Sequence, residues 1–188
     1  LARDSLETKR KLLERLTEKN LYPYTTHYLR QIRERSGAFW TNHFSTIGLL
    51  GMNESCLNLF DTSIGSAQGR AFAARTLDFM REQLLRFQKE TSHNYNLEAT
   101  PGEGTSYRFA REDKKRYPGI QVANQAATES GAKPYYTNST HLPVNFTDDA
   151  FEALDLQDEL QTRYTGGTVL HLFLGERIQD PDTVRNLV

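Results

Sequence analysis

The chain has 188 residues, 23 Lys and Arg against 24 Asp and Glu, and a formal net charge of −1. That is enough length to bury one core, and the near balance of charge speaks against a dominant nucleic-acid surface. A single cysteine, Cys56, excludes an internal disulfide, and no apolar run approaches the ~20 residues that span a bilayer, so a cytoplasmic, non-membrane protein is expected.

Residues 2–19 read as a helix with Leu6, Leu12, Leu13 and Leu16 on one side. Tyr22-Pro23 ends it, and a second helix covers 24–35, closed by Gly37. The basic residues of 1–37, Arg10, Arg15 and Arg33 among them, read as a solvated helix face. His43 to Leu50 fits a buried strand, after which Asn53 opens a helix through Leu59. In the long helix 66–91, Leu77, Met80, Leu84 and Phe87 step by three and four. A strand, Tyr95 to Thr100, turns sharply at Pro101-Gly102-Glu103-Gly104 into a helix at about 105–116, stopped by Pro118-Gly119.

Residues 120–133 are small and polar and read as a loop or irregular helix. Tyr135 to Asn138 and Leu142 to Val144 are expected to be extended, with Asp148 capping a helix near 149–161. Gly166-Gly167 then turns into a strand at Val169 to Leu174, and a further helix is starting where the chain stops. Strands alternating with helices imply an α/β fold with a largely parallel sheet. The first residue is Leu1, and we expect a piece of something larger.

The turn from Thr100 to Ser106 carries the most chemistry. Free N–H groups at a helix start attract an anion, glycine lets the backbone come close, and Thr105 and Ser106 add short donors. Glu103 opposes a phosphate unless its carboxylate points away. Pro and Gly also serve simply to change direction, so a plain corner stands beside the phosphate reading. The turn is neither a P-loop nor the three-glycine dinucleotide fingerprint. Cys56, among Leu57 and Leu59, reads as a buried inert thiol. His27, His43, His93, His141 and His171 have no metal-ligand spacing, so no metal site is expected. Asp148-Asp149 is a helix start before it is an acid pair.

Four stretches, in order, resemble the catalytic subunit of the class III (anaerobic) ribonucleoside-triphosphate reductases. They are 44–54 (FSTIGLLGMNE), 99–111 (ATPGEGTSYRFAR, similar to the family's "TPAE…YRFAR"), 136–144 (YTNSTHLPV) and 164–169 (YTGGTV). Gly102 departs from the alanine of that motif. The resemblance, from about residue 5 to 178, implies part of the second half of a ten-stranded α/β barrel of the ribonucleotide reductase and glycyl radical enzyme type. Residues 1–188 would then be a single segment of the catalytic barrel domain.

By the same resemblance, Thr100, Gly102, Glu103, Gly104, Thr105 and Ser106 would bind the substrate phosphates, and Asn138, Ser139 and His141 would lie near the substrate. The family converts ribonucleoside triphosphates to deoxyribonucleoside triphosphates by glycyl and thiyl radical chemistry, with an S-adenosylmethionine-dependent activase as partner. The intact enzyme is expected to be a homodimer with a structural zinc and ATP or dATP effectors. The radical cysteine is expected before residue 1, and the zinc-binding cysteines and radical glycine beyond residue 188. Cys56 inherits no radical role, this segment binds no cofactor, and alone it should be inactive. A non-catalytic nucleotide- or phosphate-binding α/β module and a purely structural fragment are the competing readings.

Overall fold

The structure, a computed structural model, describes residues 1–99, 101–144, 146–171, 178 and 180–187. Its elements run α1 (Ala2–Glu18), α2 (Pro23–Ser36), β1 (Phe44–Ile47), α3 (Met52–Phe60), α4 (Ala67–Thr91), β2 (Asn94–Ala99), α5 (Glu103–Arg116), α6 (Gln125–Glu129), α7 (Ala150–Gln161), β3 (Gly167–Thr168) and α8 (Pro181–Leu187). A three-stranded sheet has the order β1-β2-β3, with β1 and β2 parallel and Phe44 opposite Asn94. The α/β class and the parallel pairing follow the sequence pattern. No described helix is long and apolar enough to cross a membrane.

The chain divides into two compact units. The first joins Leu1–Gly48, Arg75–Glu98 and Tyr164–Gly167. Its helix α1 turns most of the expected leucine stripe inward, with Leu6, Leu13 and Leu16 half-buried. Leu12 is exposed, while Thr17 is fully buried, donating to the Leu13 carbonyl at 2.8 Å and accepting from Trp40 Nε1 at 3.0 Å. The guanidinium of Arg10 donates to the carbonyls of Trp40 and His43 and to Ser45 Oγ. Arg33 pairs with Glu18 at 3.3 Å. Arg10 and Arg33 are thus drawn into the unit, while Lys9, Lys11, Arg15, Lys19, Arg30 and Arg35 are exposed, as a solvated helix face requires.

Strand β1 is shorter than expected and not buried throughout: Phe44 faces solvent and Ser45, the partner of Arg10, faces in. A polar inward position masks the strand's period. β3 comes earlier than the expected Val169 to Leu174 strand, because Thr165 N–H and Gly166 N–H both donate to the Leu97 carbonyl and Thr165 Oγ1 accepts Leu97 N–H at 3.0 Å. Val169, Leu170 and His171 form no strand, and residues 172–174 lie outside the described residues. Gly166 is required by close approach, since a Cβ there would sit 2.5 Å from Asn96 Nδ2.

Tyr95 is buried in this unit, and its hydroxyl donates to Glu7 Oε1 at 2.5 Å. Burial and then the Glu7 carboxylate push the phenol up to about 12, against about 10 when unfolded. A raised folded value holds its full stabilisation below pH ~10 and loses it as the pH rises through about 12. Phenolate absorbance should therefore show two tyrosines lagging the others, since burial and Asp113 raise Tyr136 as well, and Tyr95→Phe should remove one of those two late steps. A Tyr95→Phe titration identical to wild type would refute the assignment.

The second unit joins Leu49–Ala74, Ala99–Arg163 and Thr168–Val188. Ala110, Val122 and Tyr136 form one apolar cluster, and Cys56, Ile64 and Leu160 are fully buried. As expected, Cys56 is an interior thiol, pushed up first by burial and then by Glu54. Helix α3 opens at Met52 rather than Asn53, from a left-handed Gly51 at φ 78°. Gly51 is needed twice over there, since a Cβ would lie 3.2 Å from the Tyr136 ring. Asn53 is freed to accept from Ser63 Oγ and Ile64 N–H. The cap of α7 is Asp149, not Asp148: its carboxylate accepts the N–H groups of Phe151 and Glu152 at 2.8 and 3.3 Å.

Candidate functional site

The site lies within the second unit, around the first turn of α5. This helix begins at Glu103, two residues sooner than the expected 105, with Gly102 as its N-cap and no side-chain cap. Glu103 and Gly104 thus belong to the helix. Thr100 lies outside the described residues.

Backbone N–H groups at the start of a helix have no partner on the ladder. Gly102 N–H is taken by Asn138 Oδ1 at 3.0 Å, and Ser106 N–H donates to the Gly102 carbonyl at 2.7 Å. Between them, the N–H groups of Glu103, Gly104 and Thr105 have no hydrogen-bond partner among the described residues. The Ser106 hydroxyl is occupied within the fold: it is buried, donates to the Tyr136 carbonyl and accepts Tyr136 N–H at 2.9 Å. That leaves Thr105, half-buried, as the hydroxyl open to a ligand. Neither glycine has a positive φ, and a Cβ on Gly104 would meet nothing within 4 Å.

The segment 136–141 is bound to the start of α3. Leu50 and Asn138 form an antiparallel bridge, Gly51 N–H donates to the Thr137 carbonyl at 2.8 Å, and Met52 N–H donates to the Ser139 carbonyl at 3.3 Å. The extended strand expected at Tyr135 to Asn138 is limited to this single bridge, and no strand occurs at Leu142 to Val144. The buried Glu54 carboxylate accepts Thr137 N–H at 2.9 Å, Thr137 Oγ1–H at 2.7 Å and Asn53 Nδ2–H at 3.0 Å. These bonds fix the backbone from which Asn138 reaches Gly102.

A cavity of about 990 Å³ opens beside this turn, walled by Glu103 and Tyr107 of α5, by Asn138 and His141, and by Gln157 of α7. Ser139 is not on that wall: it turns the chain at φ 46° and is buried. His141 is held below the usual imidazole range, first by burial and then by His171, against a hydrogen bond to the Val169 backbone. It is therefore neutral near pH 7. Cations reach the cavity rim at Tyr107, whose ring lies under Lys133 Nζ at 5.5 Å and Arg111 at 5.4 Å. Among the described residues no group of three or more His, Cys, Asp or Glu could hold a metal ion.

Glu54 and Gln157 were not found by sequence reasoning. Glu54 reads as an ordinary acid in a helix's first turn. Gln157 had a usable signal, since Ala153, Gln157 and Leu160 share one helical face and a glutamine interrupts it.

An α/β segment thus sets an open helix N-terminus after a parallel strand and beside a roomy cavity, a geometry that favours anions in general. The family model for anaerobic ribonucleoside-triphosphate reductase matches residues 1–188, and the chain belongs to that family. It is 28% identical over 128 residues to the anaerobic ribonucleoside-triphosphate reductase of Haemophilus influenzae, covering 67% of this chain and 17% of that protein. The Escherichia coli K12 enzyme is 26% identical over 131 residues, with the same coverage. That of Enterobacteria phage T4 is 27% identical over 142 residues, covering 76% of this chain and 20% of its own length. The crystal structure of the Thermotoga maritima anaerobic ribonucleotide reductase, with MES in its active site, superposes with TM-score 0.69 at 20% identity, over 99% of this chain and 29% of that one. A second anaerobic ribonucleotide reductase gives TM-score 0.70, also at 20% identity, over 27% of its length. The structural likeness carries the fold, and the chain spans a minor part of every relative named.

Proposed function

We propose that this chain is an internal segment of the catalytic barrel of an anaerobic ribonucleoside-triphosphate reductase, and that it holds the phosphates of the ribonucleotide. The three open amides of Glu103, Gly104 and Thr105 carry this reading. They stand at the positive end of the α5 dipole, with the Thr105 hydroxyl beside them. The Glu103 carboxylate is exposed and can swing clear. In this reading the described strands are part of the second half of a ten-stranded barrel, in a cytoplasmic homodimer activated by an S-adenosylmethionine-dependent enzyme.

The radical cysteine and glycine, the structural zinc and the ATP or dATP effectors belong to other parts of that enzyme. Cys56, fully buried with its thiol pushed up, is unsuited to a radical relay. The described residues offer no ligand set for the zinc. What this segment supplies is position and charge stabilisation for the sugar undergoing radical chemistry.

The test uses the full-length enzyme. Thr105→Ala removes one donor to a charged acceptor and should cost roughly 1.5–3 kcal/mol, about ten- to a hundredfold in triphosphate affinity, while bare nucleoside binding hardly changes. Gly104→Val probes the same grip sterically. Nothing in the fold opposes its Cβ, so it should weaken the triphosphate and leave folding intact. Equal triphosphate affinity for wild type and both variants would sink the assigned role.

A further inference from the structure

Helix α7 turns one amide into the protein interior. Gln157 is 1% exposed, on the face it shares with the fully buried Leu160. A buried carboxamide ordinarily has both ends paired. Here Oε1 accepts Gln161 Nε2 at 3.2 Å, while Nε2 is buried with no partner among the described residues. Turning both amides over exchanges the roles within the pair and still leaves one Gln157 atom unmatched. Gln157 lies on the wall of the 990 Å³ cavity.

His141 is on the same wall, and its Nε2 is likewise buried without a partner among the described residues. A neutral imidazole has one donor and one acceptor nitrogen, and Nε2 serves as either according to the tautomer. Two uncharged, buried and unpaired polar atoms from separate elements therefore belong to residues that wall one cavity, and between them they can donate and accept. A hydroxyl, or the donor-and-acceptor edge of a nucleobase, satisfies both.

We propose that Gln157 is a substrate-recognition residue whose buried amide, with His141 Nε2 as its companion, hydrogen-bonds a donor-and-acceptor group on the nucleoside part of a ribonucleoside triphosphate. This rests on the reading that the cavity holds that substrate, and it assigns to α7 the part of the ligand that α5 does not grip.

The experiment measures the affinity of the full-length enzyme for each of the four ribonucleoside triphosphates and for inorganic tripolyphosphate. Gln157→Met keeps the length and deletes the amide, and should weaken nucleotide binding about tenfold or more without changing tripolyphosphate binding. An equal loss for all four bases assigns the contact to the ribose, and a loss confined to some of them assigns it to the base edge. Unchanged nucleotide affinity, as expected if only water fills the cavity, overturns the proposal. So does a tripolyphosphate loss as large as the nucleotide loss. Gln157→Asn, which keeps the amide but withdraws it by one methylene, should show the same selective loss with its melting temperature near wild type. Wild-type nucleotide affinity in that variant also overturns the proposal. Thr105→Ala reports on phosphate grip alone, so its failure leaves the Gln157 result standing.

Discussion

Glu54→Ala loosens the segment that carries Asn138 and costs about 3 kcal/mol of local stability, the expected result of stranding Thr137 N–H, Thr137 Oγ1–H and Asn53 Nδ2–H without their acceptor. The carboxylate is buried, and three donors together with the start of α3 replace the water it gives up. Glu54→Gln should be milder, because one oxygen still accepts from Thr137 Oγ1–H and Asn53 while the new NH2 opposes Thr137 N–H. Hydrogen exchange in the full-length protein reads this directly. The amides of Gly51 and Thr137 should lose protection strongly in the alanine variant and partly in the glutamine variant. Wild-type protection at both positions in Glu54→Ala would show that the segment is held by other means.

Asn138→Asp separates folding from binding by giving them opposite signs. Asn138 Oδ1 accepts Gly102 N–H at the α5 N-cap, and a carboxylate accepts the same bond more strongly while complementing the helix dipole. The fold should gain roughly 0.3–1 kcal/mol. The same charge, however, sits where the phosphates are proposed to bind. At about 6 Å and an effective dielectric of about 20, each unit of phosphate charge is repelled by roughly 3 kcal/mol, about a hundredfold or more in affinity. The expected outcome is a protein that melts higher and binds ribonucleoside triphosphate far more weakly. Undiminished triphosphate affinity in Asn138→Asp would place the phosphates elsewhere. Asn138→Ala, which adds no charge, should show only the loss of a cap.

Much of the framework was legible because each long helix carries its own period and stop signal. Gly37 closes α2 in the left-handed conformation its glycine suggests, and the strand before the Pro101 turn leads into a helix as read. What escaped was polar burial. Arg10 and Thr17 share the inner face of α1 with Leu6 and Leu13, and Ser45 faces inward on β1, so hydrophobic periodicity saw only the apolar part of those faces. Partner choice was equally hidden. Thr105 and Ser106 are adjacent hydroxyls in the sequence, yet the helix directs one to the Tyr136 backbone and leaves the other open. Asn138 and Gly102 meet because Glu54, distant in the chain from both, fixes Thr137. A periodicity argument cannot see such a relay, since it depends on three segments converging.

The parallel pairing of β1 with β2 bears on how the chain reaches its native state. Phe44 cannot find Asn94 until α3 and the 25-residue α4, which lie between them, have been laid down. Closing that long loop costs entropy before any strand bond repays it. Helices should therefore form early and the sheet late, and during that interval the edges of β1 and β2 are open to pairing with other chains. Refolding yield should accordingly fall with protein concentration even where the native state is amply stable.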